Sequence, residues 1–575
     1  MRSTNSATTV AELYLAASEK HAHRVAFRYF TGHPYEALEY GELRHQSLSL
    51  AAGLVSLGLR KGDRVLLVSE NRPEWAIVDF ALACVGAVNV PVHTVFSSEQ
   101  VAEVIRESRP QMVIASGPSA YGRLAVAQSS EGFSAPTIMF DVDGLGESDV
   151  RSMRALIDEH SYAADRMVEA ANQVTPDDLM TITFTSGTTG RQKGVRLTHR
   201  NLMANVNPGL RAFPYAPSDR LVSVLPLTHV YERVAGYYGP VFAGSCIRFI
   251  RDVDEFRAAA KDHRPTVVVA VPRLFEKIRE ISADQASSSA LKRRVFDWAF
   301  DGAGENRVFK PVFEKLVYSR VREVFGGELR CAIIGGARLP LPVSAFFDRV
   351  GIPLLEGYGL TETSPIVSTN REVNNRYGTV GLPLDDVLVR IADDGEIQVK
   401  GDTVMQGYIS EEDTREVFTE DGWFKTGDLG SLDSDGHLTL TGRKKDLIVL
   451  TTGKKIAPAG VEEALTASPY VEQACVVGDG RKHICAILVP KLDALRSTVG
   501  DLTIDGLAAG GRAYEFLADE VARATGRLSS IEQVRAFVVA SEPFTQENGL
   551  LTATLKMRRQ HILDRHAAEL ERLYQ

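Results

Sequence analysis

Short apolar runs, each followed by a helical pattern, constrain the fold of this chain more than any other feature. RVLLVS (64–69) precedes NRPEWAIVDFALACVGA. Similar β-branched runs, each ending in or directly followed by Ser, Pro or Gly, are QMVIAS (111–116), TVVVAV (266–271) and LRCAIIGG (329–336). A strand that is apolar at every position is buried on both faces, which is typical of a parallel sheet covered by helices. The sequence therefore predicts an α/β fold over most of the first 440 residues.

The pattern changes from about residue 378, where short strand-like runs alternate with Gly and Asp turns. This predicts a small β-rich subdomain over about 378–442. TGRKKDLIVLTTGKKIAPAGVEEAL then brings charge, a strand and a helix with Pro458 near its first turn. At 575 residues the chain exceeds the size of a single core, so we predict an N-terminal domain (1–442) and a smaller α+β C-terminal domain (443–575). The polar stretch 141–175 is predicted to be a surface insertion or connection.

Composition excludes several classes of protein. The formal net charge is −9, which argues against a nucleic-acid-binding protein. Five dispersed cysteines without C-x-x-C spacing indicate buried thiols in a reducing compartment and neither a disulfide framework nor a zinc ribbon.

The N-terminus lacks the apolar segment of a signal peptide, and the apolar run 77–96 contains Asp79, Asn89, Pro91 and His93. That run is predicted to be a buried helix and a strand, and the protein is predicted to be cytoplasmic.

The stretch TFTSGTTGRQKGVRLTH (183–199) combines the groups that hold phosphate. It offers hydroxyls that donate, glycines that let backbone N–H groups approach, and a lysine charge. These residues are Thr185, Ser186, Gly187, Thr188, Thr189, Gly190 and Lys193. The stretch is not a Walker A loop, because that pattern needs a second glycine where this chain has Gln192. Taken alone, it is equally well interpreted as a surface loop.

Three further segments carry polar groups that suit a nucleotide. EGYGLTET (356–363) places Glu362 where it could supply an oxygen ligand to Mg²⁺, with Thr361 beside it. TGDLG (426–430) offers Asp428 and GRKKD (442–446) offers Arg443. A carboxylate and a guanidinium suit ribose hydroxyls and a phosphate, although each segment alone is typical of a solvated turn.

Seven motifs occur in the order that is characteristic of the adenylate-forming superfamily. They are TSGTTGRQKGV, PLTHVYE (226–232), GGARLP (335–340), GYGLTET, TGDLG, GRKKD and NGLLTATLK (548–556). The resemblance to this superfamily, which contains acyl-CoA synthetases, firefly luciferase and the adenylation domains of peptide synthetases, runs from about residue 10 to the end. Within it the chain looks most like bacterial long-chain fatty-acid–CoA ligases.

The resemblance implies a two-step reaction with ATP, Mg²⁺ and coenzyme A. A fatty carboxylate attacks the α-phosphate of ATP to give acyl-AMP and pyrophosphate, and the thiol of coenzyme A then displaces AMP. By family position, residues 185–193 hold the β- and γ-phosphates, while Glu362 and Thr185 hold the metal. The predicted ATP-binding set also contains Tyr358 and the turn Gly335, Gly336 and Ala337, which flank adenine, and Asp428 and Arg443, which bind ribose. Its other members are Gly357, Gly359, Thr361 and Lys556.

The resemblance assigns the remaining roles in the same way. Lys556 matches the catalytic lysine, whose ammonium would bridge the carboxylate and the α-phosphate. Lys445 matches the hinge at which the C-terminal domain rotates between the two steps. The predicted pocket wall or gate is His229, Val230 and Tyr231. The predicted coenzyme A tunnel is Gly453, Lys454 and Lys455.

The sequence leaves several alternatives open. The acyl acceptor could be a carrier-protein thiol, although no extra segment between Lys445 and Pro458 blocks the rotation. An aryl carboxylate is a second alternative, and a silent nucleotide- or lipid-binding protein is a third. An amino-acid substrate would want a carboxylate near PLTHVYE, where Glu232 is followed by an arginine, Arg233, that could pair with it. The oligomeric state and a peripheral contact with the inner membrane are also left open.

Overall fold

The computed structural model divides into two compact units. It describes residues 7–142, 150–186, 192–287, 289–300, 310–500, 502–508, 510–545, 547–551 and 557–574. The first unit contains residues 1–389 and 398–425, and the second contains residues 390–397 and 426–575. The predicted boundary near 442–446 stays a prediction, as does the β-rich subdomain.

The described residues of both units form strands and α-helices, which alternate along most of the first unit. The strands are β1 Val25–Arg28, β2 Ala37–Glu39, β3 Arg64–Val68, β4 Val88–Val92, β5 Met112–Ala115, β6 Thr137–Met139, β7 Val150–Ser152, β8 Leu179–Ser186, β9 Gln192–Thr198, β10 Arg220–Ser223, β11 Cys246–Phe249, β12 Val267–Ala270, β13 Cys331–Ile334, β14 Leu354–Gly359, β15 Ile366–Thr369, β16 Leu382–Pro383, β17 Leu388–Ile391, β18 Glu396–Lys400, β19 Gly407–Tyr408, β20 Phe424–Leu432, β21 Leu438–Arg443, β22 Ile448–Val449, β23 Lys455–Ile456, β24 Val471–Val477, β25 Cys485–Pro490 and β26 Phe537–Val539. The α-helices are α1 Val10–Lys20, α2 Tyr40–Ser56, α3 Pro73–Val85, α4 Ser98–Ser108, α5 Pro118–Ser130, α6 Met153–His160, α7 Ala164–Ala171, α8 His199–Ala212, α9 Gly239–Ala243, α10 Phe256–His263, α11 Pro272–Ala286, α12 Ala290–Phe300, α13 Lys310–Phe313, α14 Ser319–Glu323, α15 Leu341–Val350, α16 Glu411–Glu416, α17 Pro458–Thr466, α18 Leu492–Val499, α19 Ile504–Ala508, α20 Arg512–Thr525, α21 Arg559–Arg565 and α22 Ala567–Tyr574.

Two large sheets are parallel at their centres and antiparallel towards some of their edges. One has the order β16-β15-β14-β13-β12-β10-β11-β1-β2, and the other has the order β19-β9-β8-β4-β3-β5-β6-β7. A four-stranded sheet has the order β17-β18-β20-β21, and two smaller sheets are the pair β22-β23 and the three strands β24-β25-β26. Strands β8 and β9 pair antiparallel, as do β9 and β19.

Alternate residues of the central strands face different apolar cores. In β3, Val65 and Leu67 join the largest cluster, while Leu66 and Val68 join a separate one with α4 and α5. Strand β12 divides in the same way, with Val267 and Val269 in the largest cluster. The largest cluster thus contains residues of both sheets together with α1, α2 and α3, and all 13 residues of α3 are buried. Strands buried on both faces explain the continuous apolar runs in the sequence.

The α/β prediction is confirmed by the parallel sheets and their helices. The four apolar runs form β3, β5, β12 and β13, and the run 77–96 forms α3 and β4. The predicted buried thiols are confirmed for four cysteines, whereas Cys246 is half-buried, and all five are free. No helix among the described residues is long and apolar enough to span a membrane.

One expectation about local structure is wrong. Within the stretch 141–175, residues 150–171 are not a surface connection, because β7 extends the eight-stranded sheet and α6 and α7 bury residues such as Leu156 and Met167 in the largest cluster. The polar composition of this stretch led to the wrong expectation, because α6 and α7 are short, amphipathic helices with one apolar face each.

A fully buried ion pair connects α3 with the segment after β10. Arg233 donates from Nη2 to Asp79 Oδ1 at 2.8 Å, and both side chains have zero exposure. Asp79 also accepts from Asn89 of β4 at 2.7 Å and from the Tyr238 hydroxyl at 2.8 Å. Arg233 Nη1 donates to Thr181 Oγ1 of β8 at 2.8 Å. These hydrogen bonds compensate for much of the cost of removing the charges from water.

We expect Asp79→Ala to destabilise the protein by about 3–5 kcal/mol, because it leaves the buried Arg233 charge without its partner. The matched control is Asp177→Ala, which removes the exposed partner of Arg200 (2.8 Å). That loss should be about 0–1 kcal/mol. Urea denaturation followed by circular dichroism measures both values. Equal losses in the two variants would contradict the prediction.

Candidate active site

The phosphate stretch lies on the antiparallel pair β8 and β9. Thr185 and Ser186 end β8, and Lys193 is the second residue of β9. Thr185 is directly opposite Lys193 in the register, and its hydroxyl donates to the Lys193 carbonyl at 3.5 Å. Residues 187–191 lie outside the described residues, so the predicted roles of Gly187, Thr188, Thr189 and Gly190 stay predictions. The described strands nevertheless bring Thr185 and Lys193 to one end of the sheet.

Lys193 is held by a segment more than 200 residues away in sequence. Its ammonium lies 2.6 Å from Asp413 Oδ1 in a largely buried ion pair. It also lies 5.2 Å from the centre of the Tyr408 ring, which is within range of a cation–π interaction. Strand β19 explains this proximity, because Tyr408 pairs with Val195 of β9.

Glu362 belongs to a single 3₁₀ turn, Thr361–Thr363, that follows β14. The Tyr408 hydroxyl donates to Glu362 Oε1 at 2.8 Å, and the Met405 N–H donates to the Glu362 carbonyl at 2.8 Å. On the other side of the turn, Asn205 of α8 donates to the Ile366 carbonyl at 2.7 Å. Glu362 is thus fixed through both its backbone and its side chain.

The surroundings of Glu362 fit a magnesium ion that is shared with phosphate. Within the described residues, its Oε2 accepts no hydrogen bond and remains available as a hard oxygen ligand. No group of three or more His, Cys, Asp or Glu side chains in the described part of the chain could hold a metal. Magnesium is commonly held by one or two carboxylates together with substrate phosphates, so a single carboxylate suits it.

The predicted adenine-binding turn adjoins the predicted gate. Gly335 and Gly336 follow β13, and Tyr231 donates its hydroxyl to the Ile333 carbonyl at 3.1 Å. A Cβ at Gly335 would lie only 2.9 Å from Tyr231 Cζ, so the tyrosine ring occupies the space that a side chain would need. Ala337 continues this turn. Gly357, Tyr358 and Gly359 lie on the neighbouring strand β14, with Tyr358 buried.

The gate segment is anchored by an asparagine in the loop after β3. Asn71 accepts from the Leu227 N–H at 2.8 Å and donates to the Leu225 carbonyl at 2.7 Å. Two residues beyond Leu227 comes His229, which is half-buried, and Val230 is buried. These contacts fix the segment that carries the predicted gate but assign no chemistry to His229.

Glu232 and Arg233 have separate partners, so the suggested pairing between them is wrong. Arg233 is committed to Asp79, while Glu232 accepts from the Ser223 hydroxyl at 2.6 Å. Burial raises the pKa of Glu232 to about 8, although the Ser223 hydrogen bond opposes that shift. Glu232 is therefore neutral near pH 7 and is 1% exposed. A neutral, enclosed carboxyl group does not suit an ammonium-bearing substrate.

A largely apolar cavity of about 30 Å³ lies beside the gate. It is bounded by α8, the loop after it, the π-helical turn Glu232–Tyr238, the start of α9, strands β13 to β15 and the residue after β15. The lining residues are Val206, Gly209, Leu210, Phe213, Tyr215, Val234, Ala235, Gly239, Ile333, Leu355, Ile366, Thr369 and Asn370. Its position next to the Tyr231 hydrogen bond places apolar surface beside the predicted adenine-binding strands.

The second unit carries the predicted ribose and coenzyme A residues. Asp428 of β20 and Arg443 of β21 are opposite each other in the hairpin, with Arg443 Nε 2.8 Å from Asp428 Oδ1. Lys444 binds Asp394 and Glu396, whereas burial lowers the pKa of the predicted hinge residue Lys445. The predicted coenzyme A residues are exposed: Gly453 and Lys454 lie in the turn between β22 and β23, and Lys455 is the first residue of β23.

Lys556 lies outside the described residues, but the helix that follows it is firmly anchored. Arg559 begins α21 and forms two hydrogen bonds with Glu462 of α17, at 2.6 and 3.0 Å. It also donates to the Val476 carbonyl of β24 at 3.0 Å. The helix after Lys556 is therefore not a freely solvated basic surface.

The sequence did not reveal Tyr408, Asp413, Asn201 and Asn205. Asn201 and Asn205 occupy i and i+4 positions of α8, which places them on one helix face, and this spacing was a usable signal. Asn201 donates to the carbonyls of Asp402 and Val404 at 2.8 and 2.9 Å. Tyr408 and Asp413 had no comparable signal, because their positions depend on the pairing of β19 with β9.

Comparisons with known proteins identify the class of protein that this fold and site define. Residues 15–409 match the AMP-binding enzyme family, and residues 445–575 match the AMP-binding enzyme C-terminal domain. The chain belongs to the AMP-binding enzyme family. The family prediction from the seven motifs is confirmed.

The chain is also similar to particular ligases and to a solved structure. The long-chain-fatty-acid–CoA ligase FadD15 of Mycobacterium bovis is 37% identical over 93% of this chain and 91% of the relative. The chloroplastic long-chain-fatty-acid–[acyl-carrier-protein] ligase AEE15 of Arabidopsis thaliana is 28% identical over 98% of this chain and 86% of the relative. The structure of ATP-bound MatB from Rhodopseudomonas palustris has a TM-score of 0.71 at 23% identity and covers 97% of this chain and 99% of that one. This last likeness shows the shared fold.

We expect Glu232→Gln to reduce the pH dependence of stability. Folded Glu232 keeps its proton up to about pH 8, whereas the unfolded side chain releases it near 4.5. Between these values the unfolded state binds fewer protons, so stability falls as pH rises, by at most about 1.4 kcal/mol per pH unit for one proton. Urea midpoints from pH 5.5 to 7.5 should therefore fall less steeply in the variant.

The exposed Glu159 offers a matched control, and Glu159→Gln should reproduce the wild-type slope. Identical slopes for wild type and Glu232→Gln would mean that Glu232 is ionised in the folded protein.

Proposed function

We propose that this protein activates a long-chain fatty carboxylate with ATP and transfers the acyl group to coenzyme A. Membership of the AMP-binding enzyme family supports the adenylation step. The observation that carries the fatty substrate is the apolar cavity beside the gate, lined by residues such as Val206, Leu210 and Leu355. FadD15 and AEE15, to which the chain is similar, are both ligases of long-chain fatty acids, which agrees with a fatty acyl group.

The described side chains act by binding and positioning. A carboxylate oxygen attacks the α-phosphorus, and the bond to the pyrophosphate oxygen breaks. Thr185 and Lys193 bind the departing phosphates, and Glu362 would hold Mg²⁺, which would balance their negative charge. The Lys556 ammonium would bridge the two reacting anions and reduce their repulsion. No protein nucleophile is required.

The second step transfers the acyl group to sulfur. The thiol sulfur attacks the acyl carbonyl carbon, the carbonyl–oxygen bond to AMP breaks, and the thiol proton is lost. Asp428 and Arg443 would bind the ribose, and Gly453, Lys454 and Lys455 would line the path of the incoming thiol. Coenzyme A is favoured as the acceptor because residues 445–458 form only a 3₁₀ turn, a tight hairpin and the start of α17. A carrier-protein thiol is the alternative.

The size of the cavity restricts how the substrate enters. A volume of about 30 Å³ is far below the roughly 300–1,000 Å³ that is usual for a ligand pocket, so a long acyl chain requires neighbouring side chains to move. Phe213 and Tyr215 line the cavity as large rings, and their ring centres are 4.7 Å apart. We therefore expect acyl binding to displace part of this wall.

Cytoplasmic location and peripheral membrane contact stay predictions.

Wild-type protein should catalyse carboxylate-dependent exchange between ATP and pyrophosphate, and Lys556→Ala should reduce the rate about 10²–10³-fold, the usual cost of losing one preorganised donor. A panel of carboxylates from acetate to stearate, with benzoates, identifies the substrate class. Acyl-CoA formation on addition of coenzyme A distinguishes it from transfer only to a carrier protein. Absence of exchange with every carboxylate would overturn the proposal.

Gly209→Leu should shift the preferred substrate towards shorter chains. Gly209 lines the cavity, and a Cβ placed there meets no atom within 4 Å, so a side chain can start there without a clash. We expect the rest of the leucine to occupy acyl space. Gly122→Leu makes the same change in α5 at an exposed helical glycine that is equally unobstructed and does not line the cavity. The control should retain the wild-type profile. Matching profiles for both variants would place the acyl chain elsewhere.

A further inference from the structure

Tyr408 lies between two predicted groups of the phosphate site that come from distant parts of the chain. Its hydroxyl donates to Glu362 Oε1 at 2.8 Å, and its ring centre lies 5.2 Å from the Lys193 ammonium. The side chain is 6% exposed. One buried residue thus contacts both the candidate metal ligand and the phosphate-binding lysine.

The backbone around Tyr408 fixes its position independently of those contacts. Tyr408 pairs with Val195 of β9, and the Ile409 N–H donates to the Gly194 carbonyl at 2.9 Å. The Tyr408 N–H donates to Thr414 Oγ1 at 2.9 Å. Gly407 has a φ of +132° and would place a Cβ 2.7 Å from Thr414 Cγ2, so the chain enters this strand only through a glycine.

The same segment also supplies the counter-charge of Lys193. Asp413 lies 2.6 Å from the ammonium, and the Asp413 N–H donates to the Ser410 side chain at 3.2 Å at the start of α16. Met405, at the other end of the segment, holds the backbone of Glu362. Residues 405–413 therefore fix Glu362 and Lys193 from one direction.

We propose that Tyr408 is a positioning residue of the phosphate site, whose hydroxyl orients the Glu362 carboxylate towards the metal while its ring lies against the Lys193 ammonium. This inference rests on the proposed ATP-dependent function. Tyr408 occupies one carboxylate oxygen of Glu362 and leaves the other for a cation. Without the hydroxyl, the carboxylate could rotate, and that freedom would have to be lost when the metal binds.

The size of the expected effect follows from the behaviour of hydrogen-bonded metal ligands in general. Loss of such an outer partner typically reduces metal affinity or activity about 10–100-fold. A purely structural tyrosine would instead lower stability or the amount of active enzyme without changing its response to Mg²⁺. The dependence on Mg²⁺ therefore separates positioning from packing.

The test uses Tyr408→Phe, which keeps the ring and its contact with Lys193 but removes the hydroxyl. The Mg²⁺ concentration for half-maximal ATP–pyrophosphate exchange should rise about 10-fold or more. Equilibrium dialysis without carboxylate should show ATP affinity reduced by a similar factor in the presence of Mg²⁺ and little changed with EDTA. In a Glu362→Gln background, Tyr408→Phe should have little further effect on ATP affinity, because its partner carboxylate is already absent.

Tyr377→Phe is the matched control, since Tyr377 also donates to a carboxylate, Asp348 Oδ1, at 2.7 Å, and neither residue belongs to the predicted phosphate site. It should retain the wild-type response to Mg²⁺. An unchanged Mg²⁺ midpoint in Tyr408→Phe, or an equal loss of ATP affinity with and without Mg²⁺, would overturn the inference. Normal binding of MgATP by wild type without exchange for any carboxylate would overturn the proposed function alone.

Discussion

The buried Arg233–Asp79 ion pair is the interaction on which the arrangement of the first unit depends. Arg233 stands at the start of the π-helical turn after the gate, while its partners belong to α3 and to strand β8 of the other large sheet. A charge without exposure is costly unless donors and acceptors surround it closely, so the geometry tolerates little variation. The ion pair therefore fixes Tyr231, two residues earlier, and through its hydroxyl the end of β13. The packing of the largest apolar cluster and the shape of the candidate site are thus set together.

Much of the fold was predictable because its signals are local. Runs such as RVLLVS carry their burial in their own composition, since both faces of β3 meet apolar cores. The stretch 141–175 was misjudged because α6 and α7 are short, and only one side of each helix is apolar. The partner of Arg233 was misjudged for a different reason. Glu232 is adjacent to Arg233 in sequence, but the side chain that contacts Arg233 is Asp79, which is 154 residues away.

The residues of the candidate site also differ in how readily the sequence reveals them. Thr185, Glu362, Asp428 and Arg443 belong to short motifs whose order was informative, and the hairpin β20–β21 brings the last two together. Tyr408 and Asp413 belong to no such motif. Their proximity to Lys193 arises from the two-residue strand β19, which pairs with the edge of a sheet formed more than 200 residues earlier. Sequence spacing identifies groups that can bind a ligand, whereas the groups that orient them depend on long-range strand pairing.

The two sides of the cavity, one formed by strands and the other by helices, differ in how readily they can move. Ile333 and Leu355 belong to β13 and β14, whose backbones are held by continuous strand pairing at the centre of the nine-stranded sheet. The opposite wall contains Gly209 of α8, Gly239 of α9 and the π-helical turn, where wide helical hydrogen bonding often accompanies functional sites. Tyr215 joins that turn to the loop after α8 by donating to the Ala235 carbonyl at 2.6 Å. One hydrogen bond contributes about 1 kcal/mol, while each buried methylene of an acyl chain contributes about 0.8 kcal/mol. Two or three methylene groups would therefore offset loss of the Tyr215 contact, and opening on the helical side is favoured over opening on the side of the sheet.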